Sequence, residues 1–246
     1  MGRTYEAFEQ AEKEHRAVRE ETLPVPLPVR QVELYRPLAP RPTGPYDELK
    51  ANLLSRYRDG SVKTILFAGT AIGVGTSTTA VNFAISLASD PQLKILLIDV
   101  NSRTPGLHQL FRIDCIPGLS DLVAKNGRKT RPIKVGAGNL HVLPCGGRHA
   151  EFVTLLESER FDRFLTKARE VFDYVVLDAP PVHGSSECRV LCTKVDGVVL
   201  VIEAGKTRRQ VALNAKKQLE EAGGKILGVV LNKRRFYIPE FIYRRL

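Results

Sequence analysis

Three groups of residues in this chain have the types and spacings needed to hold a phosphorylated ligand and a hard metal ion. The first is GTAIGVGTSTTA, Gly69 to Ala80. Glycines at 69, 73 and 75 allow positive φ and let backbone N–H groups approach phosphate closely, and Ser77 and Thr78 open the helical run that follows. Loops of this kind carry a lysine that neutralises the phosphate oxygens, followed by a hydroxyl that ligates magnesium. Here Thr76 stands where that lysine belongs. The second group is DVNSRTP, with Asp99, Asn101 and Arg103, and the third is DAPP, with Asp178. Magnesium prefers hard oxygen ligands and water, so Ser77, Asp99 and Asp178 together make a candidate Mg-nucleotide cage.

For these groups to meet, the chain must bring the ends of three apolar runs to one edge. TILFAG, LKILLID, NLHVLP, YVVLDAP, GVVLVIEAG and KILGVVLN are short continuous apolar segments, the pattern of strands covered on both faces. Segments with helical periodicity lie between several of them: TSTTAVNFAISLAS, ESERFDRFLTKAREVF and RRQVALNAKKQLEEAG. Alternating strand and helix predicts an α/β fold with a doubly wound, mostly parallel sheet and right-handed crossovers. In such sheets ligands bind beyond the carboxyl ends of the strands, which is where all three groups fall.

The chain of 246 residues is long enough for one large α/β domain, assigned to residues 46–235. Residues 1–22 are rich in helix formers with loose apolar periodicity and read as an interaction helix in need of a partner surface. Residues 23–45 are dense in proline, which fixes φ and removes donors, and read as an extended linker. Residues 236–246 form an aromatic and basic tail. A polar amino terminus without a signal-type apolar core, and apolar runs far shorter than the roughly 20 residues of a membrane span, predict a cytoplasmic protein. The four cysteines show no CxxC spacing and are expected to be reduced structural thiols. The net charge of +10 gathers partly at Lys206–Arg209 and Lys233–Arg245, which suits contact with phosphates, anionic lipid or nucleic acid without telling which; of these, no nucleic-acid partner is expected, and peripheral membrane contact through the tail is.

Taken in order, GVGTSTTAVNFA, LLIDVNSRTPGLHQLF, PGLSDLV, NLHVLPCG, FDYVVLDAPPV, DGVVLVIEAGKTRR and ILGVVLNK make the chain resemble the bacterial tyrosine kinases (BY-kinases) of capsule and exopolysaccharide synthesis. The likeness runs from about Tyr46 to Lys233, and RTYEAFEQAEKE is similar to the amino-terminal helix of stand-alone members. The resemblance implies a P-loop NTPase fold related to the MinD and ParA ATPases, with Mg-ATP or Mg-ADP as cofactor. Carried over by position, Gly73, Gly75, Thr76, Ser77 and Thr78 are the Walker A phosphate loop, and Ser77 is the magnesium-ligating hydroxyl. Asp99 and Asn101 hold the Walker A′ places, Asp178 is the Walker B carboxylate, and Asn232 matches a position that contacts adenine. Implied partners are an inner-membrane co-polymerase or chain-length protein, an active BY-kinase, or further copies of the chain.

Four departures from the family pattern point one way. Thr76 replaces the lysine, and charge stabilisation of a transferring phosphoryl group is worth on the order of several kcal/mol. Asn101 replaces the second Walker A′ aspartate, and an amide cannot take a proton from an attacking hydroxyl. The tail holds only Tyr237 and Tyr243 as candidate phospho-acceptors where relatives have a tyrosine cluster. Ahead of the first strand, Gly44, Asp47 and Lys50 occupy the places of the glutamate and two arginines that assemble rings in active relatives. The leading expectation is a kinase-like regulator with lost or impaired phosphotransfer. An active Mg-ATP-dependent autokinase and a membrane- or DNA-associated positioning ATPase remain as alternatives. Lys206, Arg208 and Arg209 are candidates to replace the missing lysine.

Overall fold

The computed structural model describes residues 44–124, 130–136, 138–147 and 151–234. The amino-terminal segment, nearly all of the proline-rich linker, and the tail with Tyr237 and Tyr243 lie outside these residues. Helix α1 spans Gly44–Arg56, so Gly44 and Pro45, counted above with the linker, are its first two residues. Proline in a first helical turn gives up no intrahelical hydrogen bond, so the chain can pass from linker to helix there without loss.

Seven strands follow in one sheet: β1 (Thr64–Gly69), β2 (Ile95–Asp99), β3 (Ile133–Val135), β4 (Leu140–Leu143), β5 (Tyr174–Asp178), β6 (Gly197–Glu203) and β7 (Ile226–Asn232). Their spatial order is β3-β4-β2-β5-β1-β6-β7, and every pair is parallel except β3 with β4. The doubly wound, mostly parallel sheet expected from the apolar runs is therefore the observed fold. Strand β3 was not expected. It is three residues long, antiparallel, and on the sheet edge, and a three-residue run is too short to show a period.

Helix α2 (Thr76–Ala88) follows β1, and the short helices α3 (Leu107–Phe111) and α4 (Leu119–Val123) follow β2. Helices α5 (Phe152–Glu157) and α6 (Glu159–Val171) precede β5, α7 (Ser186–Leu191) follows it, and α8 (Arg209–Glu221) joins β6 to β7. Two apolar layers cover the sheet. One holds Ile65, Phe67, Leu97, Val176 and Val199 against the α1–α2 side. The other holds Leu66, Leu96, Leu177 and Leu200 against α6 and its neighbours. Both faces of β1, β2 and β5 are thus dry, which is why these strands read as unbroken apolar runs.

Helix α6 shows how the layers are held. Its N-cap hydroxyl, Ser158, accepts from Phe161 N–H, with Glu159 and Asp162 in the first turn. Phe161, Leu165 and Ala168, spaced four and three apart, are its buried face. Full burial of a side chain such as Phe161 is worth about 2–3 kcal/mol. At the amino-terminal edge of the sheet Arg169 binds Asp196 at 3.1 Å, the Thr64 hydroxyl at 2.7 Å and the Lys194 carbonyl at 3.2 Å, joining α6 to the starts of β1 and β6. Edge strand β7 is covered least, leaving Val229 and Leu231 exposed.

Candidate functional site

Strand β1 lies between β5 and β6, so the loop leaving β1 emerges beside the end of β5 and one strand away from the end of β2. Register completes the arrangement: Asp99 on β2 and Asp178 on β5 are paired Cα partners, and Phe67 pairs with Asp178 across β1 and β5. Three sites far apart in sequence therefore share one carboxyl edge.

Residues 70–75 turn the chain into α2. Gly73 and Gly75 adopt φ of 80° and 93°, and Gly75 is the helix N-cap with no side-chain cap. The first hydrogen bonds of α2 start at Thr79, whose N–H and hydroxyl both reach the Gly75 carbonyl, at 2.9 and 2.8 Å. The N–H groups of Thr76, Ser77 and Thr78 belong to the first turn and have no partner within the helix, so the helix end offers an anion cradle. A Cβ on Gly69 would lie 2.3 Å from Thr76 Oγ1, so the Thr76 hydroxyl is folded back over the end of β1. It does not extend outward as a lysine would.

Asp99 is fully buried and heavily used by its own backbone. Its Oδ1 accepts from Asn101 N–H at 3.0 Å, and its Oδ2 accepts from Gly106 and Leu107 N–H at 2.9 and 3.1 Å. Burial still pushes its carboxyl above the ordinary range. Asn101 is closed on Thr104: its Oδ1 accepts from the Thr104 N–H at 3.1 Å and its Nδ2 donates to the Thr104 hydroxyl at 3.0 Å. Both ends of the amide are occupied within the loop.

Asp178 is the least satisfied group. It is 1% exposed, the Ser77 hydroxyl bonds to it, and its Oδ1 has no partner among the described residues. Burial first, and then the Asp99 carboxylate, push Asp178 up to about 8. Thr70 Oγ1, at the start of the same loop, is also buried and without a partner among the described residues. Two orphaned oxygens at the loop, a hydroxyl already beside a carboxyl, and an uncapped helix end fit a hard cation and a phosphate group. Asn232, at the end of β7, donates from Nδ2 to the Val74 carbonyl at 2.8 Å.

Sequence reasoning brought Gly73, Gly75, Thr76, Ser77, Thr78, Asp99, Asn101, Asp178 and Asn232 into one proposed site, and the fold gathers all of them at one edge. It missed Thr70 and Lys233, although each sits directly beside a residue that had been singled out, Gly69 and Asn232. It also missed Glu187, which is buried against the Ser102 and Ser185 hydroxyls at 3.1 and 2.9 Å and lies 3.8 Å from Arg103. Of the places matched to ring assembly, Asp47 binds the Ser86 hydroxyl and Lys50 the Ser86 carbonyl, holding α1 on α2.

Comparison with known proteins agrees with this fold. Residues 62–221, more than half of the chain, match the AAA domain family. Tyrosine-protein kinase CpsD of Streptococcus pneumoniae is 30% identical over 198 residues, 80% of this chain and 86% of CpsD. The chain belongs to the bacterial tyrosine-kinase family. Among solved structures, the chimerical protein CapA2B2 is 25% identical with a TM-score of 0.75, covering 85% of this chain and 96% of that one. MinD of Pyrococcus horikoshii, complexed with Mg-ADP, is 18% identical with a TM-score of 0.60, covering 75% and 76%, and shares the fold. Within the bacterial tyrosine-kinase fold the loop after β1 is thus a P-loop, here without its lysine. No helix among the described residues is long and apolar enough to cross a membrane.

Proposed function

We propose that this protein is a kinase-like regulator of capsule or exopolysaccharide polymerisation and export that binds Mg-ATP or Mg-ADP and has lost or impaired phosphotransfer. The observation that carries the reading is the pair of substitutions at the site. The Thr76 hydroxyl is turned back over Gly69, and Asn101 is locked onto Thr104. The Gly73–Thr78 loop and the start of α2 would hold the phosphates through backbone N–H groups. Ser77 and Asp178 would hold magnesium, with Asp99 shaping the adjoining loop through its three backbone bonds. Magnesium would supply charge neutralisation of the phosphate oxygens. Binding it requires Asp178 to give up the proton that burial makes it keep near neutral pH. The resemblance implies an adenine contact at Asn232, whose amide here is engaged by the Val74 carbonyl and the Lys233 N–H.

Neither of the two substituted positions provides what transfer needs. A hydroxyl donates one hydrogen bond and no charge, and an amide accepts no proton from a tyrosine. The partner, by the same reading, is an inner-membrane co-polymerase or an active kinase, contacted through residues 1–22 and 236–246. That places the protein in the cytoplasm at the inner membrane face.

The test is Mg-ATP titration calorimetry together with a phosphotyrosine blot of the full chain. The wild type is expected to bind nucleotide without phosphorylating Tyr237 or Tyr243, and a Thr76→Lys/Asn101→Asp variant to gain phosphotyrosine. Strong wild-type phosphorylation that Asp178→Ala abolishes would overturn the reading in favour of an active autokinase.

A further inference from the structure

The loop is not without a cation. Strand β7 runs beside β6, which separates it from β1, with Glu203 and Asn232 paired, and Asn232 at its end reaches the Val74 carbonyl of the loop that follows β1. The chain then makes a left-handed step at Lys233, φ 56°, with Lys233 N–H donating to Asn232 Oδ1 at 2.8 Å. This step carries the Lys233 side chain back onto the loop. Its Nζ donates to the Gly73 carbonyl at 2.5 Å and lies 3.4 Å from Glu203 Oε2.

Two consecutive residues therefore hold two consecutive loop carbonyls: Lys233 takes Gly73 O, and Asn232 takes Val74 O. In a trans peptide the carbonyl and the following N–H point to opposite sides. Pinning these carbonyls toward β7 turns the N–H groups of Val74 and Gly75 the other way, into the loop. Gly75 has no room for a side chain here, since a Cβ would meet Asn232 Nδ2 at 2.1 Å.

The charge is local as well. Glu203 is shared by Lys206 on Oε1 at 2.8 Å and Lys233 on Oε2, so two ammonium groups face one carboxylate and the cluster keeps one positive charge. Lys206, one of the replacements considered from sequence, is spent on Glu203 and 75% exposed, whereas Lys233 touches the loop itself. An ammonium has three donors, and two of those on Lys233 are directed at Gly73 and Glu203.

We propose that Lys233 is the cation of this phosphate loop, supplied from the end of β7 in place of the absent loop lysine, and that it favours nucleoside di- and triphosphates through their phosphates. The inference rests on the nucleotide-binding reading above. It predicts a residue that orders the loop from outside and adds one positive charge at its rim.

Calorimetric titration of the full chain with Mg-ADP, and separately with adenosine, tests it. Lys233→Met keeps the stem and removes the charge. It is expected to weaken Mg-ADP about tenfold, as one partly screened unit charge would, and to leave adenosine unchanged, while Lys233→Arg retains binding. In a Thr76→Lys background the Lys233→Met loss should shrink to less than about threefold, because the loop then carries its own cation. Equal Mg-ADP affinity in wild type and Lys233→Met overturns the proposal while the nucleotide reading stands. A loss that is the same for adenosine, or undiminished in the Thr76→Lys background, also overturns it, showing a steric clasp and not a charge. A folded wild type that binds no Mg-ADP overturns both.

Discussion

Replacing Asp178 by asparagine should change how stability depends on pH in a calculable way. The Asp178 carboxyl is held at about 8 in the folded chain against an ordinary value of 3.8. A carboxyl raised in this way contributes stability that is fully present below the ordinary value and is lost as pH rises toward the folded value. Between those limits the unfolded state binds one proton fewer, so stability falls by about 1.4 kcal/mol per pH unit. From pH 5 to pH 7 that amounts to about 3 kcal/mol from this one group. For a domain of this size it corresponds to roughly 6–12 °C in melting temperature. Asp99, raised for the same reason, acts in the same direction. An asparagine keeps the oxygen that accepts from Ser77 and has no titration, and its orphaned amide adds a cost that does not vary with pH. The assay is urea unfolding of both proteins in chelator at pH 5, 6 and 7. The variant should lose the share of the downward slope that Asp178 supplies, about 1.4 kcal/mol per pH unit, whatever its absolute stability. Parallel pH profiles for the two proteins would refute the argument that Asp178 is protonated in the folded, metal-free state.

Two further outcomes follow from the packing. Gly75→Ala places a Cβ against the Asn232 amide at a residue with φ 93°, so it should cost about 1–2 kcal/mol in thermal unfolding and abolish Mg-ADP binding in the same preparation. Arg169→Ala removes a partly buried cation from Asp196, the Thr64 hydroxyl and the Lys194 carbonyl, and should lower urea-unfolding stability by about 1–3 kcal/mol with Mg-ADP affinity unchanged, because this cluster is at the opposite edge of the sheet.

What the sequence determined by itself is the fold and which of its polar residues fall at the carboxyl edge of the sheet. Buried parallel strands must be apolar on both faces, so β1, β2, β4, β5 and β6 announce themselves as runs, as edge strand β7 also does although it is only partly covered, and the polar residues that end these strands can only lie at the carboxyl edge. Gly73, Gly75, Ser77, Asp99 and Asp178 were legible for that reason, and the missing lysine was visible as Thr76. Short elements such as β3 and α3 were not, because three to five residues carry no period and their positions are fixed by packing and by backbone bonds to groups such as Asp99. The tertiary structure decided which of these groups are free. Asp99 and Asp178 end adjacent paired strands, yet one is held by three backbone N–H groups and the other keeps an oxygen with no partner among the described residues. Lys233 was visible in the sequence only as the first residue of a basic cluster, with nothing local to tie it to the loop. Its contact with Gly73 spans 160 residues of chain and depends on β7 finishing beside β6 with a left-handed residue at its end. Strand periodicity dictates which way a side chain faces, but only the closing of the whole sheet brings its charge to another loop.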